Sequence, residues 1–243
     1  MTQGAGAVGL HFVLSPMLML SLEGSVALDF KLYLITDRHA TKMPLPQAVR
    51  LALEGGVRSV QLREKDLSVR ELLSLARELR GVTREFGAKL FINDRVDVAR
   101  AVEADGVHLG LQSMPVDAVR RIVGTSMMIG ASTHSVQEAK DAETKGADFI
   151  TYGPIFDTPS KAAYGQPVGK DSIKSVKYEI EIPIFAIGGI KSGNAIKVFG
   201  AGAAGVAVIS SILAADDIRQ ASHKFIQAID FMDRIACNYC TPR

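Results

Sequence analysis

An excess of either charge is what this sequence most plainly lacks: 28 Lys and Arg stand against 26 Asp and Glu, a formal net charge of +2. Nucleic acid and anionic membrane surfaces are recruited by a one-signed field, so neither is expected as a partner. Any anion must be held by local groups. Cysteine is nearly absent. Cys237 and Cys240 both lie in the last seven residues, with no second pair or His cluster to complete a zinc site, and they read as incidental thiols of a tail. Without a disulfide framework the chain fits a reducing cytoplasm. Long hydrophobic runs are also missing. The apolar stretch 8–20 is broken by His11, Ser15 and Pro16, too short to span a bilayer, and no Lys or Arg supplies the basic start of a secretory signal. Residues 1–30, which hold Met17 and Met19 as alternative starts, are expected to form an extension or a short helix over one end of the domain.

What is present is a rhythm. The chain is 47% apolar, enough for a large core, and from Lys31 short β-branched runs alternate with helical stretches. The strand candidates are residues 31–36, 57–62, 89–93 and 106–109 in the first half. Residues 127–131, 148–152, 182–187 and 205–209 complete the set. Buried parallel strands read as near-continuous apolar runs of this kind. Ser68 is placed to cap a helix carrying Leu72, Leu73, Leu75, Ala76 and Leu79, and Ser135 to cap another with Glu138 in capping-box position. Gly81, Gly87, Gly146 and Gly200 are expected at helix ends or returns to the sheet. Eight such units make either an open doubly wound sheet or a closed barrel. The first turn, TDRHATKMP, has no G-x-G-x-x-G, which argues against a dinucleotide fold. With no long linker, the expectation is one (β/α)8 barrel over residues 31–235, preceded by the 1–30 extension and followed by a tail at 236–243.

Reacting groups of such a barrel lie at the C-terminal ends of its strands and in the loops that follow. After strand 7, Gly188 and Gly189 let backbone N–H groups approach an anion beside a helix starting near Ser192. Ser210 and Ser211 open the turn after strand 8, so these two strands are expected to hold a phosphate. Arg63 and Lys65 alternate after strand 2 and can share a face. Lys161 follows Thr158 and Ser160 in a long loop of the sort that closes as a lid. Three cations at one rim suit a multiply charged anion such as pyrophosphate. The plainer reading of 63–66 is a solvated run of ordinary ion pairs. Asp94 is a lone carboxylate among cations, suited to Mg²⁺ with phosphate oxygens, or alternatively a partner of Arg95 or a cap of the next helix. His108, inside an apolar run, reads as a packed core histidine, whereas His134, beyond strand 5, is open to proton transfer.

Taken in series, QLREKD (61–66), FINDR (91–95), DGVHLG (105–110), IGASTH (129–134), GADFITYGPIFDTPSK (146–161), IPIFAIGGI (182–190) and GAAGVAVISSI (202–212) resemble the thiamine-phosphate synthase family. The resemblance covers roughly residues 31–230 and implies a (β/α)8 barrel transferase. Such an enzyme joins hydroxymethylpyrimidine pyrophosphate to a thiazole phosphate, through a pyrimidine-methyl cation, with release of pyrophosphate. By motif match, Gln61, Arg63, Lys65, Asn93, Ser132 and Lys161 hold the pyrimidine pyrophosphate, with Arg63, Lys65, Ser132 and Lys161 catalytic. Asp94 binds Mg²⁺. Thr158, Ser160, Gly188, Gly189, Ile209 and Ser210 hold the thiazole phosphate. One departure stands out: where the family commonly has a second Mg²⁺ carboxylate after HLG, this sequence has Leu111, Gln112 and Ser113. The related thiazole tautomerases, with His134 as the proton carrier, and a catalytically silent phosphate-ligand-binding relative are the alternatives. A homodimer is compatible with the sequence but not required by it.

Overall fold

The computed structural model describes residues 28–158 and 166–240, with 236–240 described by backbone alone. Eight parallel strands close on themselves in sequence order: β1 (Leu32–Ile35), β2 (Ser59–Leu62), β3 (Lys89–Asn93), β4 (Gly106–Leu109), β5 (Met128–Thr133), β6 (Phe149–Tyr152), β7 (Ile184–Ile187) and β8 (Gly205–Val208). The ring is completed where β1 pairs with β8, Tyr33 opposite Ala207. Strand residues are almost all buried because one face fills the barrel and the other lies under helices, which is why they read as continuous apolar runs. The helices are α1 (Leu45–Glu54), α2 (Val69–Glu85), α3 (Val96–Ala101), α4 (Val116–Val123), α5 (Val136–Thr144), α6 (Ser172–Glu179), α7 (Ser192–Phe199), α8 (Ser210–Leu213) and α9 (Ile218–Cys240). The (β/α)8 barrel expected from the sequence is the fold observed.

Aromatic rings fill the lower barrel. Tyr33, Phe91, Phe149 and Phe185 point inward from β1, β3, β6 and β7, with centroids 5.2–6.1 Å apart in edge-to-face pairs. Phe30 closes the floor, its ring 5.2–6.0 Å from all four. Strands β4, β5 and β8 make room with glycine. A Cβ on Gly106 would lie 2.4 Å from Phe91 Cε1, one on Gly130 2.5 Å from Phe149 Cζ, and one on Gly205 2.3 Å from Phe185 Cε1. Each of these three rings therefore occupies space left by a glycine, and the lower barrel is a packed core beneath the rim.

Three local expectations change. Gly81 does not end a helix but lies inside α2, where a Cβ would meet nothing within 4 Å. Glycine's cost there, about 1 kcal/mol, is outweighed by a complete Ser68–Glu71 capping box and the buried stripe Leu72, Ala76, Leu79 and Val82. At Ser135 only half a box forms: its hydroxyl accepts from Glu138 N–H at 3.2 Å, while the Glu138 carboxylate reaches past it to His134 N–H at 2.7 Å. At the C-terminal end, α9 carries the backbone through 236–240, into the segment set apart as a tail, because no Gly or Pro interrupts 218–240. Residues 1–27 and 241–243 lie outside the described residues, as does most of the loop after β6. Among the described residues, no helix is long and apolar enough to cross a membrane.

Candidate active site

The segment after β2 is anchored by its acids, not its bases. Glu64 is buried, accepting from Thr36 Oγ1 at 2.7 Å and from Arg38 through both its backbone N–H and its guanidinium at 3.2 Å. Arg38 also donates twice to Asp66, at 2.5 Å each. That fork, with a further bond from His39, holds the Asp66 carboxyl well below the usual carboxylate range. The loop after β1 thus takes both carboxylates of the Arg-Glu-Lys-Asp run. Arg63, half-buried, has its N–H fixed on Thr36 Oγ1 at 2.9 Å, and among the described residues neither Arg63 nor Lys65 makes an ion pair. The run is therefore not a string of pairs among its own members. Among the described residues its two bases therefore stand at the rim without a carboxylate partner.

Beneath them a chain of polar side chains crosses the barrel. Gln61 donates its Nε2 to the Tyr33 hydroxyl at 3.1 Å, and that hydroxyl lies 3.5 Å from His108 Nδ1. On the other side of the ring, His108 Nε2 is 3.0 Å from Ser132 Oγ and 3.4 Å from Thr151 Oγ1. His108 is packed in the core, as its apolar neighbours suggest, and it also links the β2 and β5 corners of the rim. Burial pushes the Tyr33 phenol well above its ordinary value, so it remains a neutral hydroxyl.

After β3 the backbone of Asp94 is left-handed, φ 60°, a conformation that Asp tolerates better than most residues. Its carboxylate takes a bond from Asn93 Nδ2 at 2.6 Å and another from the Ser113 hydroxyl. Neither alternative reading of Asp94 survives: Arg95 pairs with Asp97 instead, and no side chain caps α3. His134, at the end of β5, has Nδ1 3.4 Å from the Glu138 carboxylate.

On the opposite side, Thr158, Gly188, Gly189, Ile209 and Ser210 come together around a cavity of about 190 Å³, with Asp157, Lys191 and Ser211 among its other lining residues. The glycine pair is required twice over. Both residues have positive φ, 97° and 63°, and the loop after β6 lies against them, so that a Cβ on Gly189 would stand 2.7 Å from Asp157 O. Asn194 ties the turn to α7, donating to Gly189 O at 3.0 Å and accepting from Lys191 N–H at 2.8 Å. Ser160 and Lys161, the remaining expected site residues, lie outside the described residues.

The sequence matches the family described as thiamine monophosphate synthase over residues 32–212. The chain belongs to that family. A Geobacter sulfurreducens protein is 56% identical over 193 residues, 79% of this chain and 91% of the relative. The thiamine-phosphate synthase of Chloroflexus aurantiacus is 44% identical over 197 residues, 81% and 91% of the two chains. Among solved structures, thiamine phosphate pyrophosphorylase from Pyrococcus furiosus superposes with a TM-score of 0.77 at 40% identity, covering 83% of this chain and 96% of its own. A 3-hexulose-6-phosphate synthase, 16% identical with a TM-score of 0.60, shares the fold alone.

Within this thiamine monophosphate synthase barrel, three groups were not singled out from the sequence. Arg38 and Thr36 organise the β2 corner, and Tyr33 supports Gln61. Nothing in spacing marks them, since each acts on a residue about 28 positions away, across one β-strand-and-helix unit. The available signal is a buried hydroxyl, and a strand tyrosine in an apolar run does not announce its partner.

Proposed function

We propose that the chain is a thiamine-phosphate synthase that couples hydroxymethylpyrimidine pyrophosphate to thiazole phosphate. The observation that carries this over other activities of the barrel is the pair Arg63 and Lys65, left at the rim without a carboxylate partner among the described residues because Arg38 takes Glu64 and Asp66. A tautomerase has no pyrophosphate to hold and no use for such a pair. In this reading Gln61, Arg63, Lys65, Asn93, Ser132 and Lys161 bind the pyrimidine pyrophosphate, and the cavity between β7 and β8 takes the thiazole phosphate. There Gly188, Gly189, Ile209 and Ser210 offer backbone N–H groups, and Thr158 and Ser160 offer hydroxyls.

The C–O bond between the pyrimidine methylene and the pyrophosphate breaks, and its electron pair leaves with the pyrophosphate. The thiazole nitrogen then gives its lone pair to the methylene cation, forming the C–N bond of thiamine phosphate. No covalent step on the protein is needed. Arg63 and Lys65 stabilise the charge that gathers on the leaving group, worth most in a site that excludes water. The two rings must also be held in line, which the separate anion sites do by fixing each substrate through its phosphate. The Gln61–Tyr33–His108–Ser132 chain keeps the amide and hydroxyl in place without moving a charge.

Asp94 fits magnesium as the single carboxylate of a site completed by phosphate oxygens and water, and among the described residues no group of three or more His, Cys, Asp or Glu offers another. When bound there, Mg²⁺ would neutralise charge on the departing pyrophosphate. Incubating the purified protein with both substrates and Mg²⁺ tests the proposal: thiamine phosphate is expected. The second reading, a thiazole tautomerase, is favoured by one contact, His134 against Glu138. Conversion of the thiazole carboxylate tautomer, with no coupling product, would establish it instead. Binding of both phosphates with neither turnover would point to a silent relative.

A further inference from the structure

The Asp94 corner holds less than a divalent cation needs, and Ser113 is built into what it does hold. The turn after β4 closes on itself: Ser113 N–H donates to Gly110 O at 3.0 Å, and Gly110 N–H donates to Ser113 Oγ at 2.6 Å. The Ser113 hydroxyl in turn donates to Asp94 Oδ1. Gly110 N–H stands 3.5 Å from the same oxygen, while Asn93 Nδ2 takes Oδ2 at 2.6 Å. Both carboxylate oxygens are thus already oriented by neutral donors. Among the described residues no second carboxylate bonds into this cluster, and Asp97 pairs with Arg95. Mg²⁺ dehydrates reluctantly and asks for a near-octahedral set of oxygens. One carboxylate, fixed and shared with hydroxyl and amide donors, offers too few.

We infer that the divalent cation arrives at this site bound to the pyrophosphate group rather than to the free protein, and that Ser113 is the positioning residue that aims the Asp94 carboxylate at it. The inference rests on the pyrophosphate reading of the rim proposed above. In this role Ser113 acts through Asp94, its oxygen accepting from Gly110 N–H and its hydroxyl donating to the carboxylate. The position thereby sets how the cation is recruited. A second carboxylate there would let the free protein bind metal; a hydroxyl makes metal binding conditional on the substrate.

The experiment is a titration of the full chain with Mn²⁺, read by its electron paramagnetic resonance signal, with and without inorganic pyrophosphate. A parallel calorimetric titration follows pyrophosphate in the absence of metal. In wild type, Mn²⁺ is expected to bind at least about tenfold more tightly to protein with pyrophosphate than to protein alone, beyond what a protein-free Mn²⁺–pyrophosphate control accounts for. Ser113→Asp should tighten binding to the free protein by about tenfold or more. Ser113→Ala should loosen Mn²⁺ in the pyrophosphate complex severalfold, with Ser113→Thr restoring it, and with pyrophosphate affinity in the absence of metal unchanged in each. Equal Mn²⁺ affinity with and without pyrophosphate in wild type overturns the inference, as does a Ser113→Asp protein that binds no tighter. Pyrophosphate that fails to bind at all overturns the reading of the rim, a result the calorimetric titration distinguishes from the other two.

Discussion

Tyr33 is fully enclosed, and its phenol is pushed well above the ordinary value of about 10 because the phenolate would lose its hydration; the Gln61 bond only partly offsets this. A raised folded-state value means that the native chain holds this proton after the unfolded chain has lost it. The stabilisation is complete below about pH 10 and declines as pH rises through the folded-state value. Urea unfolding across pH 8–11 should therefore show stability falling at the alkaline end, and Tyr33→Phe should flatten that fall. The same variant should cost about 1–3 kcal/mol near neutrality, since Gln61 Nε2 loses its buried acceptor. An unchanged alkaline slope would contradict the assignment. Arg63 belongs to the same scale. Removing one charged hydrogen-bonding group from the leaving anion costs about 1.5–3 kcal/mol, so Arg63→Ala should lower kcat/KM for the pyrimidine pyrophosphate about 10- to 100-fold. The KM for thiazole phosphate should hardly move. Steady-state kinetics with each substrate varied separates the two, and equal losses for both would remove Arg63 from the pyrophosphate site.

Among the elements, two glycines of opposite standing test the packing account. Gly205 on β8 faces Phe185, and a Cβ would lie 2.3 Å from Cε1 of that ring and 2.7 Å from Lys31 O, so neither neighbour can yield without moving a strand. Gly205→Ala should destabilise by about 1–3 kcal/mol or more. For a chain of this size that is a fall in Tm of roughly 2–4 °C per kcal/mol. Gly81 sits in the open in the middle of α2, where Gly81→Ala should raise stability by about 0.5–1 kcal/mol. Thermal scans of both variants decide it; a Gly205→Ala protein as stable as wild type would mean that the aromatic layer is looser than described. The strands were legible in the sequence because burial on both faces leaves runs such as 89–93 and 106–109 with little room for polar residues. The end of α2 was not. Gly81 carries a local preference for stopping, whereas the capping box and the buried stripe that override it are properties of the whole helix.

At the scale of the molecule, the closed ring sets β2 and β3 apart from β7 and β8, and so separates the two proposed anion sites. That the β7 and β8 ends form one cavity was readable from the sequence, because its parts are short-range: a glycine pair and two serines at strand ends, which the fold gathers together. The pyrimidine side was readable only as a set of rim residues. What makes Arg63 and Lys65 available is Arg38, and what joins Gln61 to Ser132 is Tyr33 and His108, contacts made across the barrel that no local pattern encodes. Likewise Ser113 stood in the sequence as a missing carboxylate, and its hydroxyl bond to Asp94 became visible only once β3 and β4 were paired. The central claim is that both sites serve one coupling reaction. Quantifying both products in a single incubation of the protein with the two substrates and Mg²⁺ tests it most directly. The account predicts thiamine phosphate and pyrophosphate in equal amounts; pyrophosphate released without thiamine phosphate, or neither product formed, would contradict it.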